Sequence, residues 1–147
     1  MFKNILIPTD GTEFSEKVIA DGVTLAKTLG ARITVVHVLP AYEINLLGDL
    51  GPADEEVLQK IKDTARAAGI KHVDRMEAFA KSQNVPLDRQ LLESDNPWTG
   101  IIDTAKKKNC DLIMMAAHGR RGLSALVLGS ETNKVLTHST IPVLVYR

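Results

Sequence analysis

A chain of 147 residues fits one domain with room for a buried core. Lys+Arg and Asp+Glu both number 18, so the formal net charge is zero, which argues against a nucleic-acid partner because such partners select a basic excess. A single cysteine leaves no disulfide framework, and no stretch approaches the ~18 apolar residues of a membrane span.

The first element is Lys3 to Thr9, KNILIPT, a short apolar run bounded by Pro8 and Gly11 that predicts a buried strand. It is too short for the apolar region of a secretory leader, so the expected compartment is the cytoplasm. A helix follows from Glu13, with apolar residues at Phe14, Val18, Val23, Leu25 and Leu29, Thr12 as N-cap and Gly30 as stop. Gly22 is expected to weaken it. Ala31 to Pro40, ARITVVHVLP, is β-branched and almost continuously apolar, as a parallel strand covered on both faces would be.

Ala41 to Pro52 reads as a loop, and helical periodicity returns from Ala53 to about Ser82. There Val57, Ile61, Ala65, Ala68, Met76 and Ala80 share a face, and Gly69 is a candidate interruption. Val85 to Ser94 predicts a third strand. Asn96-Pro97 opens a helix with Pro97 in its first turn, Trp98 as an anchor, Ile101, Ile102 and Ala105 on its apolar side, and Lys106 to Lys108 suiting its C-terminal dipole. Cys110 to Gly119, CDLIMMAAHG, is a fourth strand, in which Cys110 reads as a small buried residue. Ser130 to His138 is a last helix and Ile141 to Arg147 a last strand.

Strand–helix alternation of this kind implies an α/β fold, an open and mainly parallel sheet with helices on both faces. Ligands of such sheets sit at the carboxyl ends of strands where the strand order reverses. Two segments place glycine and polar residues after a strand: Pro8-Thr9-Asp10-Gly11, and Ala116 to Ser130. Backbone N–H groups at a helix N-terminus attract anions, and glycine keeps bulk out of the way. Gly119, Gly129, Ser130 and Thr132 fit that chemistry, though Ser130 is equally a good N-cap and Gly119 a good turn residue. There is no G-x-x-x-x-G-K-[ST] and no G-x-G-x-x-G. The four histidines lack metal-ligand spacing, and Ser124 lacks a nucleophile-elbow context, which leaves a catalytic hydrolase or a flavoprotein without its motif residues.

The segment LIMMAAHGRRGLSALVLGSETNKVLTHSTIPVLVYR resembles the C-terminal signature of the universal stress protein family, and ILIPTDGTEFSEKVIADGVTLA and ITVVHVLP resemble its first strand, first helix and second strand. The resemblance implies one domain over residues 1–147, a three-layer, five-stranded parallel sheet of the adenine-nucleotide alpha-hydrolase-like (Rossmann-like) type, with strand order 3-2-1-4-5. ATP-binding members carry G-x2-G-x9-G-[ST]. On this chain the second glycine is Gly119, the spacer runs from Arg120 to Leu128, and Gly129-Ser130 closes the motif; the first glycine falls on Ala116.

By the same resemblance Asp10 meets the adenosine end, Val38 offers main-chain groups to adenine, and Pro8 and Thr9 line the mouth. From their places in the chain, His118 could touch a phosphate or shape the loop, Arg120 or Arg121 could assist a phosphate or stay solvated, and Glu131 and Thr132 lie in the first turn of the last helix. Taken alone, Asp10 is also a plausible cap or turn residue. A methyl at Ala116 blocks close approach or forbids a positive φ, at roughly 1 kcal/mol, so weakened but not abolished binding is expected.

The implied function is a regulatory protein that binds ATP or another adenosine nucleotide, with Mg or Mn as a companion ion. No Walker lysine, acidic metal pair or general base is evident, so little or no hydrolysis is expected, and no enzyme. The alternative is a stress-response dimer that acts through protein partners without nucleotide. The exposed edge of Pro142 to Arg147 is expected to pair two copies as a homodimer.

Overall fold

The computed structural model describes residues 1–40, 52–117 and 128–147. Its elements alternate: β1 (Asn4–Thr9), α1 (Glu13–Leu29), β2 (Arg32–Pro40), α2 (Pro52–Ser82), β3 (Leu87–Ser94), α3 (Pro97–Lys107), β4 (Leu112–Ala116), α4 (Ser130–His138) and β5 (Val143–Tyr146). The five strands form one sheet in the order β3-β2-β1-β4-β5, every neighbouring pair parallel. The expected three-layer architecture and strand order are therefore present. The expected loop Ala41 to Pro52 lies outside the described residues except for Pro52, which opens α2.

Side chains alternate across the sheet because the strand period is two. Ile5, Ile7, Ile33, Val35, Leu112 and Met114 enter a core with Val18, Ile19 and Val23 of α1 and Val73 and Ala80 of α2. Leu6, Val36, Ile113 and Met115 enter a second core with Ile101, Ile102 and Ala105 of α3 and Val135 of α4. Burial on both faces explains why β1, β2 and β4 read as nearly continuous apolar runs.

The ends of the elements follow local chemistry. Thr12 caps α1 through its side chain, which accepts from Ser15 N, while Gly30 ends the helix at φ 63°, a left-handed conformation that glycine adopts without a Cβ penalty. Past the ends of α2 and α3 the same conformation falls on Asn84 (φ 58°) and Asn109 (φ 53°), asparagine being the residue that tolerates it next best. At the amino edge of the sheet, Asn4 donates from Nδ2 to Lys108 O at 2.9 Å and accepts from Thr34 Oγ1 at 3.1 Å.

Two expectations about helices need correction. Gly69 does not interrupt α2, which runs unbroken for 31 residues. Instead it is a point of close approach: a Cβ there would lie 2.7 Å from Cδ2 of His37. The buried side of α2 matches the expected stripe only in part, with Ala80 buried and Ala65 and Met76 half-buried. Val57 and Ile61 are exposed, whereas Leu58, Gly69, His72, Val73 and Ala80 are buried. A 31-residue helix is roughly 46 Å long, and a nine-residue strand such as β2 spans only about 30 Å. The sheet is thus too short to cover α2 along its whole length. No described helix is long and apolar enough to cross a membrane.

Candidate functional site

The strand order reverses between β1 and β4, since α1 carries the chain from β1 to β2 on one side while β4 lies on the other. The two strands pair only at Ile5↔Leu112 and Leu6↔Ile113, whereas β1 pairs with β2 through Thr9↔His37. A reason lies in Pro8. Lys3 O accepts from Arg32 N on the β2 side and Asn4 O accepts from Asp111 N on the β4 side. Backbone groups alternate along a strand, so even-numbered residues of β1 face β4. Pro8 has no N–H to offer, and the β1–β4 ladder stops short of it. This is the switch point at which open α/β sheets form a crevice, between the carboxyl ends of two adjacent strands.

One wall of that crevice is the turn from β1 into α1. Asp10 Oδ1 accepts from Thr12 N at 3.0 Å and from Thr12 Oγ1 at 2.7 Å. The alternative role of Asp10 as a turn residue before the helix is therefore real, and it holds the carboxylate in place. Thr9 is buried. Its Oγ1 lies 2.9 Å from Ser15 Oγ and 2.9 Å from His72 Nε2, and accepts from Gly11 N at 3.1 Å. Val38 stands one residue beyond the last β1–β2 pair, Thr9↔His37. Arg32 N bonds to β1 and Ile33 N to Pro86 O beside β3. By that alternation Val38 aims its main-chain groups towards β1, at the point where β1 ends. Its half-buried side chain packs against the α3/α4 core.

The other wall joins the end of β4 to the start of α4. Gly129 N donates to Ala117 O at 2.8 Å, and Thr132 Oγ1 donates to Ala116 O at 2.9 Å. The two anchors of the motif, ten or more residues apart in sequence, thus touch directly. Gly129 is the N-cap of α4 and brings no side chain of its own to cap it, while Ser130 is exposed in its first turn. Glu131 faces elsewhere: its Oε2 accepts from Trp98 N at the start of α3, at 2.9 Å, and its Oε1 accepts from Lys134 Nζ at 3.0 Å. A carboxylate at the α4 N-terminus would repel an anion, but this one serves α3. Trp98 itself packs on His138, ring centroids 4.6 Å apart, as the anchor expected of it. Ala116 ends β4 and does not have a positive φ. Its methyl packs against the α1/α2 core, on the opposite face from α4. The backbone half of the objection to alanine is thereby removed.

The sequence model of the universal stress protein family matches residues 1–147. The chain belongs to the universal stress protein family. A family member from Thermus aquaticus is 34% identical over 149 residues, covering the whole of both chains. The fold is similar to that of the universal stress protein UspA from Lactobacillus plantarum, with a TM-score of 0.84 at 24% identity, covering 99% of this chain and 97% of that one. Two more distant structures of the family, both 18% identical, were solved with ligands. One is a complex with cAMP (TM-score 0.72, covering 99% of this chain and 97% of that one), and one, from Archaeoglobus fulgidus, is a complex with dAMP (TM-score 0.67, 99% and 98%).

Within this universal stress protein, Pro8, Thr9, Asp10 and Val38 gather at the ends of β1 and β2, and Ala116, Gly129, Ser130, Glu131 and Thr132 at the β4–α4 passage. His118, Gly119 and Arg120, with Arg121 and Gly122, lie outside the described residues. Sequence reading missed the group behind Thr9. His72 on α2 is buried; besides Thr9 it meets Glu16 of α1, whose Oε1 lies 3.1 Å from Nδ1 without the alignment of a full hydrogen bond. Arg75 reaches the same Oε1 at 2.8 Å, and His37 of β2 packs 5.6 Å from the His72 ring. Burial lowers the His72 pKa below the ordinary histidine value, against the pull of Glu16. The one available signal was that His72 and Gly69 lie three residues apart on α2, off the apolar stripe. Cys110 is buried, which raises its thiol pKa and keeps it a packing residue.

Proposed function

We propose that this chain binds an adenosine nucleotide in the crevice at the ends of β1 and β4, and acts by binding rather than by turnover. The observation that carries the reading is the direct joining of the β4 end to the N-terminus of α4, opposite Asp10, at the point where Pro8 stops the ladder. Phosphates would take the free N–H groups of α4 and the Ser130 hydroxyl. The adenosine end would take Asp10 as acceptor and the main chain of Val38. The cAMP and dAMP complexes of two relatives support the same ligand class. Among the described residues no group of three His, Cys, Asp or Glu side chains could hold a metal, so Mg or Mn would be carried on the phosphates. Among the described residues that donor set holds no metal pair to activate a water, which supports little or no hydrolysis.

The β5 strand has a partner on one side only and exposes Leu144. Pairing of two copies through Pro142–Arg147 would close that edge about a two-fold axis. The deciding experiment is mass spectrometry of ligand released from the purified protein, with calorimetric titration of ATP, ADP and AMP and a phosphate-release assay. Saturable heats with slow or no phosphate release are expected. Absence of both released nucleotide and binding heat would replace this reading with a dimer that works through protein partners.

A further inference from the structure

The hydrogen-bond inventory around Thr9 closes in only one way. A threonine hydroxyl has one proton to give and two lone pairs. Gly11 N donates to Thr9 Oγ1, occupying one lone pair. Ser15 Oγ gives its own proton to Thr12 O at 2.8 Å, so towards Thr9 it is an acceptor. The Thr9 proton therefore goes to Ser15. The remaining lone pair of Thr9 faces His72 Nε2 at 2.9 Å, and two acceptors cannot share that contact. His72 Nε2 must carry the proton.

Two consequences follow. The Thr9 hydroxyl is fully engaged inside the protein and is not offered to a ligand. The Gly11 N–H, turned onto Thr9 Oγ1, is kept from continuing the ladder onto the Val38 carbonyl. Gly11 can make that turn because it sits at φ 79°.

We propose that His72 is a positioning residue of the crevice, in which a proton held on Nε2 fixes Thr9, Thr9 fixes Gly11, and the Val38 main chain is thereby kept open to an adenine-type donor. The inference rests on the nucleotide reading for its last link and on the geometry alone for the first two. With Nε2 protonated, the nitrogen that titrates is Nδ1. The charged and titratable groups around it are Glu16 from α1, Arg75 from α2, Asp10 from the turn after β1, and the His37 ring from β2. Protonation at Nδ1 creates a His72–Glu16 ion pair and places a positive charge near Asp10, so the crevice feels a proton taken up behind it.

The test begins with the ring nitrogens of the full chain, free of nucleotide, in long-range proton–nitrogen spectra. At neutral pH His72 should show a protonated Nε2; a bare Nε2 overturns the proposal whether or not nucleotide binds. ATP is then titrated against wild type, His72→Leu and His72→Gln between pH 5.5 and 8. Leucine removes the donor to Thr9, so the open arrangement of the mouth is populated only in part and ATP should weaken by about tenfold. Glutamine restores an N–H near the Nε2 position and should recover most of that loss, with the pH step of wild type below about 6.5 abolished. Equal affinity and an equal pH profile in all three proteins overturn the positioning role. Failure of wild type to bind ATP would end the nucleotide reading but not the tautomer assignment.

Discussion

Replacing Ala116 by glycine separates two explanations of why this chain departs from the family motif. If the methyl obstructed the ligand, removing it would tighten ATP binding. The structure puts the methyl in the α1/α2 core and the backbone in a strand without positive φ. Glycine then relieves nothing at the crevice, and ATP affinity should change by less than about twofold, under ~0.5 kcal/mol. Stability should fall instead. Glycine in a strand costs about 0.5–1 kcal/mol in backbone entropy. A half-buried methyl forfeits about half of the ~0.8 kcal/mol of a buried one. The sum is about 1–1.5 kcal/mol, or roughly 3–5 °C in melting temperature for a chain of this size. Calorimetric melting and ATP titration of the two proteins measure both quantities. A tenfold gain in affinity for the glycine variant would refute the placement of the methyl, and an unchanged melting temperature would refute its packing.

Gly69→Ala should lower the melting temperature, because overpacking against the buried His37 ring costs about 1–3 kcal/mol and outweighs the ~1 kcal/mol gain in helix propensity; a rise would mean that His37 yields. Acid should expose His72: its pKa is lowered in the folded state, so below about pH 6.5 the unfolded chain binds a proton that the folded chain refuses. Stability should decline as pH falls through that window and level off below the folded pKa, and chemical denaturation of His72→Gln should lack this slope. Ser130→Ala should weaken ATP more than adenosine, since the proposed site gives its hydroxyl to a phosphate, and calorimetry with both ligands reads the difference. Light scattering at micromolar concentration should give a dimer for wild type and a monomer for Leu144→Lys, because a charge on the exposed β5 residue opposes edge pairing; a monomeric wild type would rule out the C-terminal interface.

Much of the fold was legible because it depends on local chemistry and short periods. β1, β2 and β4 are apolar throughout since both their faces are covered, and Thr12, Gly30 and Pro97 mark helix ends by capping and φ preferences that need no distant partner. The motif residues from Ala116 to Thr132 could be named in the same way, as could Asp10. Tertiary structure decided what those residues do. It brought Gly129 onto Ala117 and Thr132 onto Ala116, turned Glu131 away to α3, and placed the Ala116 methyl in the core rather than in the crevice. It also decided which side of α2 is buried, by seating Gly69 against His37 and His72 against Thr9. His72, the group that completes the hydrogen bonds of Thr9, comes from 63 positions further along the chain. A sequence pattern shows which face an element hides, but which atom answers a given donor across the fold is settled only when the layers are packed, since a hydrogen bond is fixed by distances of a few tenths of an ångström.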